Sequence, residues 1–555
     1  MLDTLSRSRG QLQAIRGSGA ALAGVAPEPP DAAQVADAIA RYRACQALRE
    51  FRTRLYACLA ARPDACMDLI DAILCADHAV TSLVQLSLVP EFRRGHGALY
   101  AALADGRIDQ EKLAALLTGT LPQLVDGAEG RAWAAEHDKI DYGLLGRALA
   151  GLPAETAAQV RDACARWRRL RFAIDATPYP RPDAECSPGR EHVHHDACRC
   201  DGTRKTIPGW EYQFTAAIGH LRTAWAALID VGRTTPATRT RQTTRQVKNL
   251  LRRLHAAGNG GAGVPLVIFD AGYSAAALTA ALAGCPVHLL IRLPARSVFY
   301  YDPARWPGKQ GRPGKCGIRV ACHQAGDPDQ SNPEPEESLV LPCTPLYGTV
   351  RVDAWRGVHP LIHGDRGYFA GWQGGLPVLR GTLLHVTVDH LPGGREPLKA
   401  MWLWHAGPAP LSPDELWRAY LARFDEEHAF KFAKGTLGLT AAKVRTPEQA
   451  GRWARLVMAG YAQLLLARPL APDLRRPWEK RPDPARPLSP GRVRRGFSNI
   501  RPRLGTPARV AKPARPGPGR PKGSATGPAP RYPVPKKTGN NDKTDTPADE
   551  QKVKT

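Results

Sequence analysis

The chain has no apolar run long enough to cross a membrane, and its cysteines are few and scattered. No stretch of the 555 residues reaches the roughly 18 apolar residues that a spanning helix needs. The first residues, MLDTLSRSRGQLQAIRGSG, have no apolar core followed by a small-residue cleavage site. The 12 cysteines, from Cys45 to Cys343, lack the dense even spacing of a disulfide scaffold. These absences predict a cytoplasmic protein with reduced thiols and no membrane partner.

Acidic residues are also too few to balance the basic ones. The chain holds 77 Lys and Arg against 52 Asp and Glu, a net charge of +25. Between residue 471 and the end, 21 Lys and Arg stand against 7 Asp and Glu, and RWRRLR (166–171) forms another basic cluster. A basic surplus can serve solubility alone, but clustering favours a polyanionic partner such as DNA, bound through counterion release.

Composition and periodicity divide the chain into five parts. Residues 1–165 are rich in Ala and Leu at helical spacing, which predicts an all-α domain. Its segment YAALADGRIDQEKLAALL (100–117) fits a helix-turn-helix that binds DNA, although plain helix packing is the alternative. Strand and helix patterns alternate over residues 166–289. Short strands separated by Pro and Gly over residues 290–410 predict a β-rich insertion. Helical patterns are found again over residues 411–470. Residues 471–555 are dominated by Pro, Arg and Lys, which predicts a disordered basic tail.

The part before the insertion has a defined order of elements. Alternating or fully apolar patterns predict strands at 170–177, 211–221, 223–233 and 264–274. A helix is predicted at 241–258, between the last two of these strands. The order strand, strand, strand, helix, strand is typical of an α/β core.

The segment YLARFDEEHAFKFAKG (420–435) places polar side chains along one face of a predicted helix of about 22 residues. At about 100° per residue, Arg423, Glu427 and Lys434 fall at roughly 300°, 340° and 320° from Tyr420. A solvated helix usually scatters or alternates its charges. This face therefore indicates contact with a buried anionic ligand.

Two acids end apolar strands, Asp175 in FAID and Asp270 in VIFD. A carboxylate at such a place is costly unless it is paired, hydrogen-bonded or bound to metal. Taken singly, these acids could be turn caps, and Glu427 an ordinary ion-pair partner of Arg423. Together, the three carboxylates beside a basic helix face predict a two-metal phosphoryl-transfer site for Mg²⁺, with Mn²⁺ as a substitute, in which Asp175, Asp270 and Glu427 are metal ligands.

The spacing of Tyr420, Arg423, Glu427 and Lys434 reproduces the Tyr-(2)-Arg-(3)-Glu-(6)-Lys signature, and with it the chain resembles DDE-type bacterial insertion-sequence transposases. The resemblance covers about residues 165–470. It implies an RNase H-like catalytic core with a β-rich insertion between the second Asp and the Glu. It further implies that Asp175, Asp270 and Glu427 are catalytic, while Glu426 is expected to tolerate Glu426→Gln.

The same resemblance implies a DNA partner. Such enzymes bind terminal inverted repeats, cleave a strand and join its 3′ hydroxyl to target DNA, commonly as a homodimer in a synaptic complex at the nucleoid. Tyr420, Arg423 and Lys434 would then contact DNA. In relatives, an aromatic side chain of the insertion stacks on an extruded base, a role for which this chain offers Trp372, Trp402 and Trp404.

Two further motifs stay open. PGRPKG (518–523) resembles the core of an AT-hook, which would place Arg520 in a narrow minor groove, although a general phosphate-binding tail is the alternative. REHVHHDACRCDG (190–202) holds zinc-ligand residue types without the spacing of a structural zinc site, and a loop near DNA is the competing interpretation.

Two other functions also remain open from the sequence. The same core would suit a host RNase H-like nuclease or resolvase, which would cut branched or hybrid substrates without strand transfer. A catalytically inactive transposase derivative that only binds DNA is the third hypothesis.

Overall fold

The structure is a computed structural model. It describes residues 31–121, 169–195, 205–219, 224–257, 263–303, 316–322, 332–344, 346–365, 367–392, 401–481, 488–512, 519, 521–524 and 527–534. No helix among these residues is long and apolar enough to span a bilayer.

The described N-terminal region is helical, with one short ribbon. Its helices are α1 (Ala32–Ala57), α2 (Pro63–Cys75), α3 (Leu83–Leu86), α4 (His96–Ala104) and α5 (Gln110–Gly119), and its strands are β1 (Leu59–Ala61) and β2 (Arg107–Ile108). Asp109 caps α5 by accepting a hydrogen bond from the backbone N–H of Lys112. Helix α2 is apolar on nearly all sides, and it is buried from Ala65 to Cys75.

A mixed sheet flanked by helices forms the core, as expected of an RNase H-like fold. Its elements are β3 (Arg171–Pro180), β4 (Glu191–His195), β5 (Lys205–Ile218), β6 (Ala226–Thr234), α6 (Arg239–Ala256), β7 (Leu266–Phe269), α7 (Ala275–Ala281) and β8 (His288–Arg292). The strand order is β6, β5, β3, β7, β8. Strand β5 pairs antiparallel with both β6 and β3, whereas β3, β7 and β8 run parallel to one another. Strand β7 is fully buried, which explains its uninterrupted apolar sequence.

The strands of the predicted insertion continue this sheet. They are β9 (Val298–Tyr300), β10 (Arg319–Ala321), β11 (Glu337–Thr344), β12 (Gly348–Pro360), β13 (Gly381–Val388) and β14 (Met401–Ala406). Strand β14 pairs antiparallel with β8, and β13 and β12 follow outward. The predicted boundary between residues 289 and 290 therefore falls inside β8. The insertion and the core share one hydrogen-bonded sheet because β8 pairs on both of its edges.

Three helices close the core: α8 (Pro413–Ala422), α9 (Phe424–Gly435) and α10 (Pro447–Ala467). Ser412 and Thr446 cap α8 and α10, as their sequences predict. The prediction of one unbroken helix to residue 435 is wrong. The N–H of Arg423 bonds to the carbonyl of Tyr420, and the N–H of Glu426 bonds to that of Arg423, so the chain tightens there to three-residue spacing.

The prediction of disorder from residue 471 is wrong for the segment around α11 (Pro490–Leu504). Val493, Phe497 and Ile500 recur at helical spacing and are buried, with Phe497 fully inaccessible. Helix α11 packs on α2 and α10. The Pro- and Arg-rich composition conceals this apolar stripe, which obtains its stability from tertiary packing.

Candidate active site

Neighbouring parallel strands bring the first two acids together. Ile174 of β3 pairs with Phe269 of β7, so Asp175 and Asp270 each follow directly after this pair. Both aspartates are partly exposed, whereas Ile174 and Phe269 are completely buried. Packing of the two apolar strands thus fixes the separation of two carboxylates at one place on the sheet.

Tyr420 connects helix α8 to the second acid. Its hydroxyl donates a hydrogen bond to Oδ1 of Asp270 over 3.2 Å, and its side chain is almost fully buried. A guanidinium nitrogen of Arg292, at the end of β8, lies 3.7 Å from the same oxygen. Burial is the largest cause that raises the pKa of Tyr420, to about 12, so the phenol stays a hydrogen-bond donor at neutral pH.

Arg423 connects the first and third acids. One guanidinium nitrogen lies 3.4 Å from Oδ2 of Asp175, and the other lies 2.5 Å from Oε1 of Glu427. The Arg423 side chain is 6% exposed, whereas that of Glu427 is 44% exposed. The guanidinium also lies over the ring of Tyr420, 5.6 Å from its centroid. The predicted triad is therefore held together by the Tyr and the Arg of the signature.

The electrostatics of the site follow from this crowding. The pKa of Asp175 is raised to about 6, chiefly by burial; the charge of Arg423 opposes this rise, and the smaller effects of the Asp270 and Glu427 charges contribute to it. Burial by itself would lower the pKa of Arg423, but Tyr420 and the three acids raise it above its usual value. Arg423 therefore acts as a permanent positive charge among the acids.

Sequence reasoning did not place Glu426 among the acids of the site. It is completely buried, and neither carboxyl oxygen has a hydrogen-bond partner within the part of the chain that the structure describes. Burial raises its pKa well above the usual value, and Asp175, Glu427 and Asp270 add to the rise. Burial of Glu426 beside these acids counts against the expectation that it tolerates Glu426→Gln, which stays a prediction until the variant is measured. The position of Glu426 was missed because the sequence analysis assumed one regular helix with about 100° per residue, whereas the helix is interrupted at Arg423.

A polar network was also missed by sequence reasoning. The hydroxyl of Tyr273 donates to Oε1 of Gln213 over 3.0 Å, and the amide of Gln213 donates to Thr243 and Gln246 of helix α6. Asp175 and Glu426 are among the charges that raise the pKa of Tyr273, after burial as the largest cause. The network ties β5, α6 and the loop after Asp270 together behind the acids. Its only sequence signal is the polar face TRQTTRQ of a helix that is otherwise basic.

The donor set fits Mg²⁺ in its chemistry. Asp175, Asp270 and Glu427 offer carboxylate oxygens, the ligands that this hard cation prefers. The spacing differs from a ligand shell, because the guanidinium of Arg423 lies between two of the acids. Among the described residues, no three His, Cys, Asp or Glu side chains are arranged to hold a metal ion.

The other residues predicted to contact DNA differ in their exposure to solvent. Lys434 is half-buried near the end of α9, whereas Arg520 lies outside the described residues. Trp402 and Trp404 are buried in β14. Trp372 is 39% exposed, and it lies beside Tyr368, which is 43% exposed, in the loop between β12 and β13. Of the three tryptophans, Trp372 is the one accessible to a ligand.

The histidine and cysteine cluster is described only in part. His192 and His194 lie on β4, which pairs with the N-terminal part of β5. Cys198 and Cys200 lie outside the described residues. The structure therefore does not test the zinc hypothesis.

Part of the chain matches a known protein family. Residues 135–360 match the family model of the DDE superfamily endonucleases. Curated proteins give no match. The matched segment contains Asp175 and Asp270, whereas Glu427 and the remaining signature residues lie beyond it. The chain thus carries a transposase-like DDE endonuclease region, and the resemblance to DDE-type transposases is confirmed.

Proposed function

We propose that this chain, with its DDE endonuclease region, is an insertion-sequence transposase that binds terminal inverted repeats and catalyses Mg²⁺-dependent strand cleavage and strand transfer. One observation carries the proposal: Tyr420 and Arg423 contact all three acids, Asp270 at 3.2 Å and Asp175 and Glu427 at 3.4 Å and 2.5 Å. A signature spread over helices α8 and α9 and the turn between them thus meets two acids that lie about 150 and 250 residues earlier in the chain. An ordinary ion pair between Arg423 and Glu427 on a helix surface would involve neither Asp175 nor Asp270.

The residues of the site have distinct roles in this proposal. Asp175, Asp270 and Glu427 would hold the divalent ions, which, when bound, activate the attacking water and stabilise the leaving oxygen. Tyr420 orients Asp270 through its hydrogen bond. Lys434, two helical turns after Glu427, would bind a phosphate beside the scissile one.

The DNA would contact several surfaces. We assign end binding to the N-terminal helical domain, and phosphate or minor-groove binding to the basic tail with Arg520. Trp372, on the exposed loop of the insertion, is the candidate for stacking on an unpaired base. A homodimer on paired ends, associated with the nucleoid, would bring two such sites together.

The test is cleavage of DNA that carries the element's own ends. Asp175→Asn, Asp270→Asn and Glu427→Gln are each expected to reduce strand cleavage and transfer to background while they leave end binding intact. Glu334→Gln, which removes an exposed charge in the insertion, is the matched control and should cleave like wild type. Full activity of any triad variant would exclude that residue. Cleavage of branched or hybrid substrates without strand transfer would instead support a nuclease or resolvase.

A further inference from the structure

Two buried polar groups of neighbouring residues have no partner. Both carboxyl oxygens of Glu426 and the Nε of Arg423 are enclosed without a hydrogen bond to any of the described residues. Burial of such groups is unfavourable unless they are paired in some state of the protein. One group is an acceptor and the other a donor, so each could satisfy the other.

Helix geometry puts both glutamates within reach of one guanidinium. Glu427 follows Arg423 by four residues and Glu426 follows it by three, and both spacings place side chains side by side. The backbone between them is fixed, since the N–H of Glu426 bonds to the carbonyl of Arg423 over 3.0 Å. Rotation of the Arg423 side chain is thus the movement that an exchange of Glu427 for Glu426 would need.

The present position of Arg423 is the one that a divalent ion would need. Its guanidinium lies between Oδ2 of Asp175 and Oε1 of Glu427, two oxygens that the proposed function gives to metal. A guanidinium that moved away would remain buried, because its side chain is 6% exposed. It would then need a new hydrogen-bond acceptor in the interior. Glu426, completely buried and with both carboxyl oxygens unpartnered among the described residues, offers one.

We infer that Arg423 is an internal counterion that occupies the metal position in the free protein, and that Glu426 receives its guanidinium when a divalent ion binds Asp175 and Glu427. Glu426 is thus a positioning residue that acts on metal affinity through Arg423. This inference rests on the proposed function, because it takes Asp175 and Glu427 as the metal ligands.

The experiment measures Mn²⁺ affinity of the full chain, from the free Mn²⁺ signal in electron paramagnetic resonance, without DNA. A double-mutant cycle compares wild type, Glu426→Gln, Arg423→Gln and the double variant. Arg423→Met repeats the cycle with a second neutral side chain, and Glu334→Gln is the matched control. Circular dichroism and the melting temperature establish that each variant is folded.

Glu426→Gln is expected to weaken Mn²⁺ binding at least fivefold, because the displaced guanidinium loses its partner. Arg423→Gln should tighten Mn²⁺ binding, and Glu426→Gln should then have no further effect. Wild-type affinity of Glu426→Gln would overturn the inference. Equal weakening in both Arg423 backgrounds would also overturn it, since Glu426 would then act on the metal directly.

A separate pair of variants tests the underlying assumption. If Asp175→Asn and Asp270→Asn bind Mn²⁺ like wild type, the proposed metal site itself is wrong. If both lose Mn²⁺ while Glu426→Gln does not change it, the metal site stands and only the exchange of Arg423 fails.

Discussion

The hydroxyl of Tyr420 donates a hydrogen bond to Asp270, which lies 150 positions earlier in the chain. The residues between them include every strand from β8 to β14, so the contact joins the two parts of the core that the insertion separates. It also fixes one oxygen of an acid whose side chain is otherwise partly exposed. The geometry of Asp270 therefore depends on helix α8 as much as on its own strand.

Tyr420→Phe removes this hydrogen bond and leaves the ring in place. Hydrogen bonds to charged groups contribute about 1.5 to 3 kcal/mol, so we expect strand cleavage to slow by at least about tenfold. Cleavage rates at saturating DNA measure the effect. Tyr42→Phe, at an exposed tyrosine of α1, should be silent. Unchanged cleavage by Tyr420→Phe would show that Asp270 needs no support from this hydroxyl.

A buried histidine pair predicts loss of stability in acid. Nδ1 of His288 and Nε2 of His405 lie 3.1 Å apart where β8 meets β14, and burial is the main cause that lowers the pKa of each. Below about pH 6.5 the unfolded chain binds protons that the folded chain excludes, so the free energy of unfolding falls as the pH falls. Each histidine contributes about 1.4 kcal/mol per pH unit to this slope.

Urea unfolding between pH 7 and pH 4.5 tests this pair. His405→Asn removes one of the two protons taken up on unfolding, so its free energy of unfolding should fall less steeply towards low pH than that of wild type. Replacement of His363, which lies on the exposed loop after β12, should leave the slope unchanged. Parallel curves for wild type and His405→Asn would contradict the prediction.

Helix α11 should be an integral part of the fold. Phe497→Ala removes a fully buried ring, and such truncations cost about 3 to 5 kcal/mol of unfolding free energy. Denaturation in urea provides the measurement, with Asn499→Ala, at an exposed position of the same helix, as the control. Equal stability of wild type and Phe497→Ala would mean that α11 does not dock on α2 and α10.

Substitution of an exposed and of a buried tryptophan in the insertion should affect different properties of the protein. Trp372→Ala is expected to weaken binding of end DNA about tenfold without loss of stability, because stacking on a base contributes roughly 1 to 3 kcal/mol. Trp404→Ala should instead lower the free energy of unfolding by about 3 kcal/mol or more, since its ring is completely buried. Binding and unfolding measurements on both variants give the comparison. Loss of stability in Trp372→Ala would contradict a surface role.

The sequence predicted the core well because its signals are local. Strand β7 reads as an apolar run that ends at Asp270, and the structure places that strand at Leu266–Phe269. The capping residues Ser412 and Thr446 likewise begin the helices that they predict. Asp175 and Asp270 lie side by side because strands β3 and β7 are paired in register. The order of the elements along the sequence does not specify that register.

Other features depend on contacts that no local pattern carries. Glu426 and Glu427 are the same residue type at adjacent positions, and the turn at Arg423 decides which of them is buried. The pairing of β14 with β8 joins residues more than 100 positions apart. In α11, the surplus of Pro and Arg outweighs the apolar stripe in any compositional estimate, because that stripe becomes stable only against α2.

The docking of α11 has a consequence for synthesis of the protein. Asp71, completely buried in α2, is bonded by Arg52 of α1 and by Arg501 of α11. Arg494 of α11 likewise donates to the carbonyl of Ile73. The ribosome delivers the N-terminal helices first and α11 more than 400 residues later. Helix α2 therefore gains these contacts only after α11 has been synthesised, so a chain that stops before α11 lacks the guanidinium of Arg501 beside the buried Asp71.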